Sequence, residues 1–368
     1  MTQLAFLVSP DLLQNKLFDM KAARDGSLER FYCLKKALSN YGIKCDTIDI
    51  CQESSIDILV CSDITPNLKF MLSVIRRNPF VKILYLPTEP PVVSCLHASF
   101  IMSNMPFDRI LFWNDDFVAR YDHAFKCNIG QPVINPKSIP HLPFQSKKFL
   151  VAITSSKLIR HKNGLHKERY VAFNFFSQKP IDFDLFGVGW DKVSLPFVHK
   201  SYRGTCATKR DVLKNYKFSI CFENAKNYPG LITEKIFDCF AAGTVPIYYG
   251  PPNVKDFIPE GCFINFCDFP DYESLYKYLV NMSQEEYDEY LIAAKRFIES
   301  KEYYQFTSDG YASLLLMQVK SLLTEPAVNR NVLWFKWCFF RIFIAKPFFF
   351  LRNIRQTRRF LFDLFFTF

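Results

Sequence analysis

Short apolar runs alternate along this chain with stretches whose apolar residues recur at helical spacing. Leu4 to Val8, Ile56 to Cys61 and Val81 to Leu86 read as strands, while Ser27 to Asn40 (closed by Gly42) and Asn67 to Arg77 read as helices. Such alternation predicts a parallel sheet with helices on both faces. Pro132, Pro136, Pro140 and Pro143 then space a stretch that reads as a linker, and the pattern restarts with the strand Phe149 to Ile153. Ser283 to Glu286 forms a capping box that opens a helix running to Ile298. The predicted organisation is an α/β domain over 1–145, a second over 146–326, and a tail over 327–368.

One segment of the second domain carries most of the chemistry. Phe218 to Phe222 suits a buried parallel strand, and Thr244 to Tyr249 returns as the next. Between them Ile236, Phe237, Phe240 and Ala241 fall at helical spacing, Thr233 stands where its hydroxyl can cap the helix, and Gly243 stands where a C′ glycine ends it. Glu223 and Asn224 follow the carboxyl end of a strand, where open α/β sheets bind ligands. Glu234 and Lys235 occupy the first helical turn, where free N–H groups and the dipole favour a phosphate. These residues suit a phosphate or nucleotide-sugar site. By themselves they equally suit a capped surface helix with solvated charges.

Composition changes the picture at the C-terminus. Residues 327–368 hold eight basic residues against the single Asp363, so they carry seven of the chain's ten net positive charges. They also hold Trp334, Trp337 and twelve phenylalanines, in uncharged runs far short of the roughly 20 residues that a spanning helix needs. Pro347 divides the tail into two short helices, with Arg352, Arg355 and Arg359 on one side of the second and Ile354, Leu361, Phe365 and Phe368 nearby at helical spacing. A basic, aromatic, amphipathic tail predicts an interfacial anchor on an anionic membrane surface. The alternative is a helix packed on the protein itself. Nucleic acid is not expected as a partner, because the aromatics are too continuous for an exposed stacking platform. The twelve cysteines lack a Cys-x-x-Cys pair and sit in apolar runs, which suits reduced, buried thiols. Charges interrupt every apolar stretch of the first thirty residues, so no signal peptide is read there.

Three further places carry candidate chemistry. Glu89 lies in Pro87-Thr88-Glu89-Pro90-Pro91, a proline-stiffened loop at the carboxyl edge of the first sheet. A fixed carboxylate there can accept a proton from a hydroxyl nucleophile. Asp182-Phe183-Asp184 has the DxD pattern of a divalent-cation site, but its alternation suits a half-buried strand running into Gly187. Gly187-x-Gly189 lacks the third glycine of a dinucleotide fingerprint, and either lines a nucleotide pocket or ends a strand. The six histidines show no ligand spacing and read as structural.

Phe222-Glu223-Asn224, Thr233-Glu234-Lys235 and Gly243-Thr244-Val245-Pro246-Ile247-Tyr248-Tyr249-Gly250 together resemble the donor-binding signature of the alpha-1,3-fucosyltransferases, glycosyltransferase family 10. One position departs from it: Leu231 stands where many members have a Tyr, with Tyr228 nearby. The resemblance covers most of 149–270 and only thinly the first domain. It implies a GT-B architecture, two Rossmann-like domains facing a cleft, with acceptor in the first and donor in the second. It also implies that the Ser155-Ser156 strand end and the following Arg169 correspond to a strand and an arginine that meets the donor diphosphate, with Ser156 replacing an Asn. Glu89-Pro90 matches loosely the loop that holds the family's general base.

The expectation is an inverting, metal-independent transfer of L-fucose from GDP-β-L-fucose, the co-substrate, to a GlcNAc hydroxyl of an N-acetyllactosamine-type glycan. The linkage would be alpha-1,3, or else alpha-1,4. Glu89 would serve as base, Arg169 and Lys235 would stabilise the departing GDP, and Glu223, Asn224, Tyr228 and Glu234 would hold the donor. The alternatives are a GT-B transferase using another nucleotide sugar and a non-catalytic peripheral glycan-binding protein. Without an N-terminal anchor, the expected setting is that of a bacterial-type member, cytoplasmic and peripheral on the inner face of the membrane.

Overall fold

The computed structural model describes residues 2–61, 68–354, 357–358 and 361–362. Asn67, Arg355, Arg359, Phe365 and Phe368, named above, lie outside the described residues. The chain divides into two compact units, residues 1–132 with 306–368, and residues 133–305.

In the first unit, apolar runs that are buried on both faces form a parallel sheet. Its strands are β1 (Gln3–Leu7), β2 (Lys44–Thr47), β3 (Ile58–Cys61), β4 (Lys82–Tyr85), β5 (Arg109–Phe112) and β6 (Ala124–Lys126), in the order β2-β1-β3-β4-β5-β6. The adjacent pairs run parallel. Helices α1 (Glu29–Ser39) and α2 (Leu68–Arg77) supply crossovers and turn Leu34, Leu38, Met71 and Ile75 inward. β2, β5 and β6 were not read from the sequence, because strands of three or four residues that include Lys44, Asp46, Arg109 and Lys126 are too short and too polar to show a period.

The second unit builds its own parallel sheet from β7 (Lys148–Ile153), β8 (Phe183–Phe186), β9 (Tyr216–Phe222), β10 (Val245–Tyr249) and β11 (Ile264–Asn265), in the order β11-β10-β9-β7-β8. Helix α3 (His166–Phe176) follows β7, α4 (Glu234–Ala242) joins β9 to β10, and α5 (Tyr272–Asn281) and α6 (Gln284–Ile298) follow β11. Phe173, Phe176, Trp190 and Phe218 fill the core. Because β7 is followed on one side by β8 and on the other by β9, the strand order reverses between β7 and β9. Open α/β sheets bind ligands at the carboxyl ends of the strands that flank such a reversal.

Two glycines show why only that residue fits. Gly243 ends α4 at φ +67°, and a Cβ there would lie 2.5 Å from the Pro140 carbonyl oxygen. Lys147, buried beside it, donates to the Gly243 carbonyl and stands at the negative end of the helix. Gly187 adopts φ +140°, and a Cβ would lie 1.9 Å from the Thr154 carbonyl oxygen. Its backbone is held by Gly204 and the Tyr202 hydroxyl, so this glycine packs the ends of two strands together. The DxD aspartate Asp184 lies on β8. Its carboxylate accepts from Tyr216 Oη at 2.6 Å and Lys148 Nζ at 2.9 Å, and pairs with Arg203 Nε at 2.7 Å. Burial opposes the charged form, but those donors outweigh it and hold the carboxyl below its ordinary pKa. Asp184 is thus an ion-pair hub inside the unit.

The boundaries expected from the sequence are 145 and 326, whereas the first unit gives way to the second after Pro132 and the chain rejoins the first unit from Phe306 onward. The physical reason lies in α7 (Ser308–Thr324), whose Tyr311, Leu315, Val319 and Leu322 bury against Phe31, Leu34 and Leu38 of α1. Its C-terminal carbonyls are met by cations from the sheet: Lys82 Nζ donates to Leu322 O at 2.6 Å, and Arg109 Nη1 to Gln318 O at 2.8 Å. Arg330 then ties the next segment to Pro79 and Val81 and pairs with Asp108. Helix α8 (Val332–Ala345) buries Phe335, Phe339 and Ile342 on one face, and α9 (Pro347–Arg352) buries Phe350. The Phe349 ring meets Phe100 edge to face, with centroids 4.9 Å apart. The opposite side of α8 and α9 exposes Leu333, Trp334, Trp337, Ile344, Phe348 and Leu351. Among the described residues no helix is long and apolar enough to cross a membrane.

Candidate functional site

The site forms at the carboxyl ends of β7, β9 and β10, where α3 and α4 begin. β9 and β10 run in register to the pair Phe222–Tyr249, and Glu223 N then donates to Tyr249 O at 2.8 Å. The loop that follows is pinned to the segment before α3. Lys226 N donates to Asn163 O at 2.8 Å, and Leu165 N to Asn224 O at 3.1 Å. Gly230 takes a positive φ, and its N–H donates to Asn253 Oδ1 at 2.9 Å.

Glu223 is fully buried, and its carboxylate is occupied by the protein's own donors. Oε1 accepts from Thr233 N at 2.9 Å, Thr233 Oγ1 at 3.0 Å and Tyr248 Oη at 3.0 Å. Oε2 lies 2.8 Å from Thr233 Oγ1 and 3.2 Å from Lys235 Nζ. This differs from the sequence expectation, in which Glu223 holds the donor. The carboxylate joins strand, helix start and lysine from behind, because burial makes every unfilled lone pair costly. Thr233 differs in the same way. It stands at the N-cap position of α4, but its side chain makes no cap bond and turns to Glu223 instead. The helix N-terminus is left without a side-chain cap.

Lys235 Nζ also lies 2.9 Å from Thr233 Oγ1 and 3.3 Å from Glu234 Oε1. Burial works against its charge, but the Glu223 and Glu234 carboxylates prevail and hold its pKa above the ordinary lysine value. Glu234 opens α4 and is partly exposed. Burial acts against its anion too, yet Lys235, Lys209 and its own backbone N–H hold its carboxyl well below the usual range.

Arg169, the fourth residue of α3, reaches across the reversal point. Its Nη2 donates to Phe222 O at 2.6 Å and Asn224 Oδ1 at 3.1 Å, and Nη1 lies 3.4 Å from Thr154 Oγ1 at the end of β7. The residue is 5% exposed, and no carboxylate pairs with it among the described residues. Burial lowers its pKa, opposed by the more distant Glu223 and Glu234. A buried guanidinium held only by neutral oxygens is short of negative charge, and phosphate is the anion its planar fork fits.

Tyr228 is half-buried in the same loop, where burial raises its pKa and a hydrogen bond with Asn163 lowers it. Leu231 is completely buried, and its carbonyl faces Tyr248 Oη at 3.5 Å. The second unit therefore gathers Arg169, Glu223, Asn224, Tyr228, Glu234 and Lys235 around one loop and two helix starts. Glu89 belongs to the first unit, exposed just beyond β4. Its backbone is fixed there: the His97 ring meets Glu89 O at 2.7 Å, and Trp113 Nε1 donates to Thr88 O at 2.9 Å. Tyr248, Lys226 and His166 were not found from the sequence. For His166 there was a signal, since it lies three residues before Arg169 and so on the same helical face. Among the described residues no cluster of His, Cys, Asp and Glu is placed to hold a metal ion.

Residues 144–310 match the family model described as glycosyltransferase family 10 (fucosyltransferase), C-terminal part. Over that stretch, most of which lies in the second unit, the chain is similar to glycosyltransferase family 10. An alpha-(1,3)-fucosyltransferase of Helicobacter pylori is 44% identical to this chain over 72 residues, which are 19% of this chain and 15% of that protein. Alpha-(1,3)-fucosyltransferase 4 of Rattus norvegicus is 32% identical over 179 residues, 47% of this chain and 37% of the relative. The matched stretches thus span well under two thirds of these relatives. Among solved structures, an alpha1,3-fucosyltransferase with GDP-fucose aligns over 90% of this chain and 92% of its own, with a TM-score of 0.52 and 15% identity. Anabaena HepE in complex with UDP aligns over 87% of this chain and all of its own, with a TM-score of 0.57 and 11% identity. At such identity these likenesses carry the fold alone. The chain has the GT-B class of fold expected from its sequence, with a parallel α/β sheet in each unit.

Proposed function

We propose that this chain is an inverting fucosyltransferase that moves L-fucose from GDP-β-L-fucose to a GlcNAc hydroxyl of an N-acetyllactosamine-type glycan, in alpha-1,3 linkage. The observation that carries this reading is Arg169, buried without an ion pair among the described residues, at the point where the sheet order reverses and beside the start of α4, which Thr233 does not cap. Arg169 and Lys235 would take the charge that builds on the diphosphate as the fucosyl bond breaks, so that no metal is required. Asn224, Tyr228 and Glu234, from the same loop and helix start, would contact fucose, ribose or base. Glu223 would act by holding Lys235 and Thr233. Glu89 would accept the proton of the attacking hydroxyl. The relatives named alpha-(1,3)-fucosyltransferases support fucosyl transfer and this linkage.

Incubation with GDP-fucose and N-acetyllactosamine should release GDP and give an alpha-linked product, with turnover retained in EDTA. Glu89→Gln should abolish turnover while GDP binding persists. Turnover with another nucleotide sugar and none with GDP-fucose would move the assignment to a different GT-B transferase. Binding of glycan without any transfer would favour a non-catalytic glycan-binding protein.

The outward face of α8 and α9 supports a second part of the reading, peripheral attachment to the anionic inner face of the membrane from the cytoplasm. Trp334, Trp337 and Phe348 are exposed there, with Arg341 and Arg352 on the same two helices and Lys346 between them. Deleting the whole tail would also strip Phe335, Phe339 and Arg330 from the first unit, so substitution is the cleaner test. Replacing Trp334, Trp337 and Phe348 together by alanine should weaken binding to phosphatidylserine vesicles by at least roughly tenfold, given the apolar area removed. Turnover on a soluble acceptor should stay the same. Unchanged vesicle binding would remove the membrane assignment.

A further inference from the structure

His166 is the first residue of α3, 2% exposed, and its Nδ1 has no hydrogen-bond partner among the described residues. Buried side-chain nitrogens are nearly always paired, so an orphan at a ligand site asks for a partner that arrives from outside. The cap position of α3 is Leu165, which supplies no side-chain acceptor to the helix start. Spacing puts His166 on the same helical face as Arg169. The charged groups around the imidazole are Arg169 from its own helix, Lys157 from the segment after β7 and Lys235 from α4. All are cations, and the carboxylates nearby, Glu223 and Glu234, pair with Lys235.

We propose that His166 is a proton-coupled part of the diphosphate pocket, taking one proton from solvent onto its imidazole when a nucleoside diphosphate binds and then facing the phosphates as a third cation beside Arg169 and Lys235. The inference rests on the donor-site reading above and deepens it. Burial together with Arg169, Lys157 and Lys235 pushes the imidazole down to about 4, so the ring is neutral at physiological pH. A bound diphosphate reverses that field, because it sets two or more negative charges against the same cations. Once protonated, both ring nitrogens donate, and Nδ1 gains an acceptor in a phosphate oxygen. The sign follows from linkage. Binding raises the pKa, so binding takes up a proton, and affinity strengthens as pH falls. The gain is at most about tenfold per pH unit between the bound and free pKa values, and stops once the free site is protonated as well.

The test is calorimetric binding of GDP-fucose without acceptor, whose two esterified phosphates do not titrate between pH 5 and about 8.5. It is run at pH 6.5 in buffers of different ionisation enthalpy, on the wild-type chain and on His166→Gln. The wild type should take up a fraction of a proton approaching one, and the variant none. The variant should bind more weakly by roughly tenfold or more at pH 6, and nearly normally at pH 8.5. Should the variant fold poorly, the His166 imidazole resonance of the wild type, titrated with and without GDP-fucose, gives the two pKa values directly. Equal proton uptake in both proteins, or an imidazole pKa that binding leaves in place, would overturn the proposal while the donor site stood. Absence of GDP-fucose binding to the wild type at any pH would remove the donor reading, and this inference with it.

Discussion

Glu223→Ala is expected to destabilise the second unit by about 3–5 kcal/mol, the usual consequence of removing one member of a buried charged pair. The substitution strips Lys235 of its buried carboxylate and leaves Thr233 and Tyr248 with hydroxyls that point at a void. It also frees the start of α4, because Thr233 N–H loses its acceptor. Glu223→Gln keeps the side chain's shape and one oxygen for Thr233 N and Tyr248 Oη, so its loss of stability should be the smaller, on the order of 1–3 kcal/mol. Donor binding should fall in both, since Lys235 is no longer held by a charge. Urea unfolding followed by a probe in the second unit, with GDP binding on the same samples, measures both effects. An alanine variant that unfolds at the wild-type denaturant concentration would show that Glu223 does not organise this site.

Arg169→Ala and Lys235→Ala should each lower kcat with GDP-fucose by roughly 10²–10³-fold or more, the scale set by loss of one preorganised charge contact in a water-excluded site. The two differ in what they do to the empty protein. Lys235→Ala leaves the Glu223 carboxylate buried with only its hydroxyl and N–H donors, so some stability is lost as well. Arg169→Ala leaves the Phe222 carbonyl without the donor that reaches it at 2.6 Å. The conservative change separates geometry from charge. Arg169→Lys retains the cation but cannot span Phe222 O, Asn224 Oδ1 and Thr154 Oγ1 at once, so it should recover little turnover. Wild-type turnover in the lysine variant would show that charge alone suffices and that the fork across the two strand ends is incidental. Single-turnover kinetics with saturating donor distinguishes weakened binding from slowed transfer.

The donor half of the site was legible because its parts are close together in the chain. β9, the loop, α4 and β10 all fall within 216–249, and their apolar runs and the terminal glycine mark the elements locally. Lys235 and Glu234 could be assigned to the first helical turn for the same reason. What escaped was the direction in which side chains act. Thr233 reads as a cap from its position, yet a buried carboxylate ten residues earlier competes for its hydroxyl and wins, being the stronger acceptor. Glu223 reads as a ligand contact, yet its burial depends on Tyr248, which comes from the neighbouring strand. His166 reads as one histidine among six until the helix brings it onto the face of Arg169.

Two boundaries show the same limit at larger scale. The proline-spaced stretch was visible because proline punctuates the chain wherever it stands, but the units divide at its start, after Pro132, and the rest of it belongs to the second unit. The return of the chain at Phe306 was not visible, since nothing in α7 itself says which helix its apolar face will meet. The tail poses the question twice over. Its charge and aromatic content were plain in the sequence, while the division into a packed stripe of Phe335, Phe339 and Ile342 and an exposed one of Trp334 and Trp337 exists only once α8 lies against the first unit.

By itself, then, the sequence determined the alternating α/β organisation, the strand-loop-helix-strand segment and the types of charged group it carries. Periodicity, turn residues and helix ends are written over a few neighbouring residues, so each can be read where it stands. The tertiary structure decided which of those charges face a ligand and which face each other. That choice depends on parallel pairing of β7 with β9 and of β9 with β10, contacts between residues tens of positions apart, and on the burial they create. Burial decides it because a carboxylate removed from water must be filled by the protein's own donors. A guanidinium removed from water beside neutral oxygens stays ready for an anion.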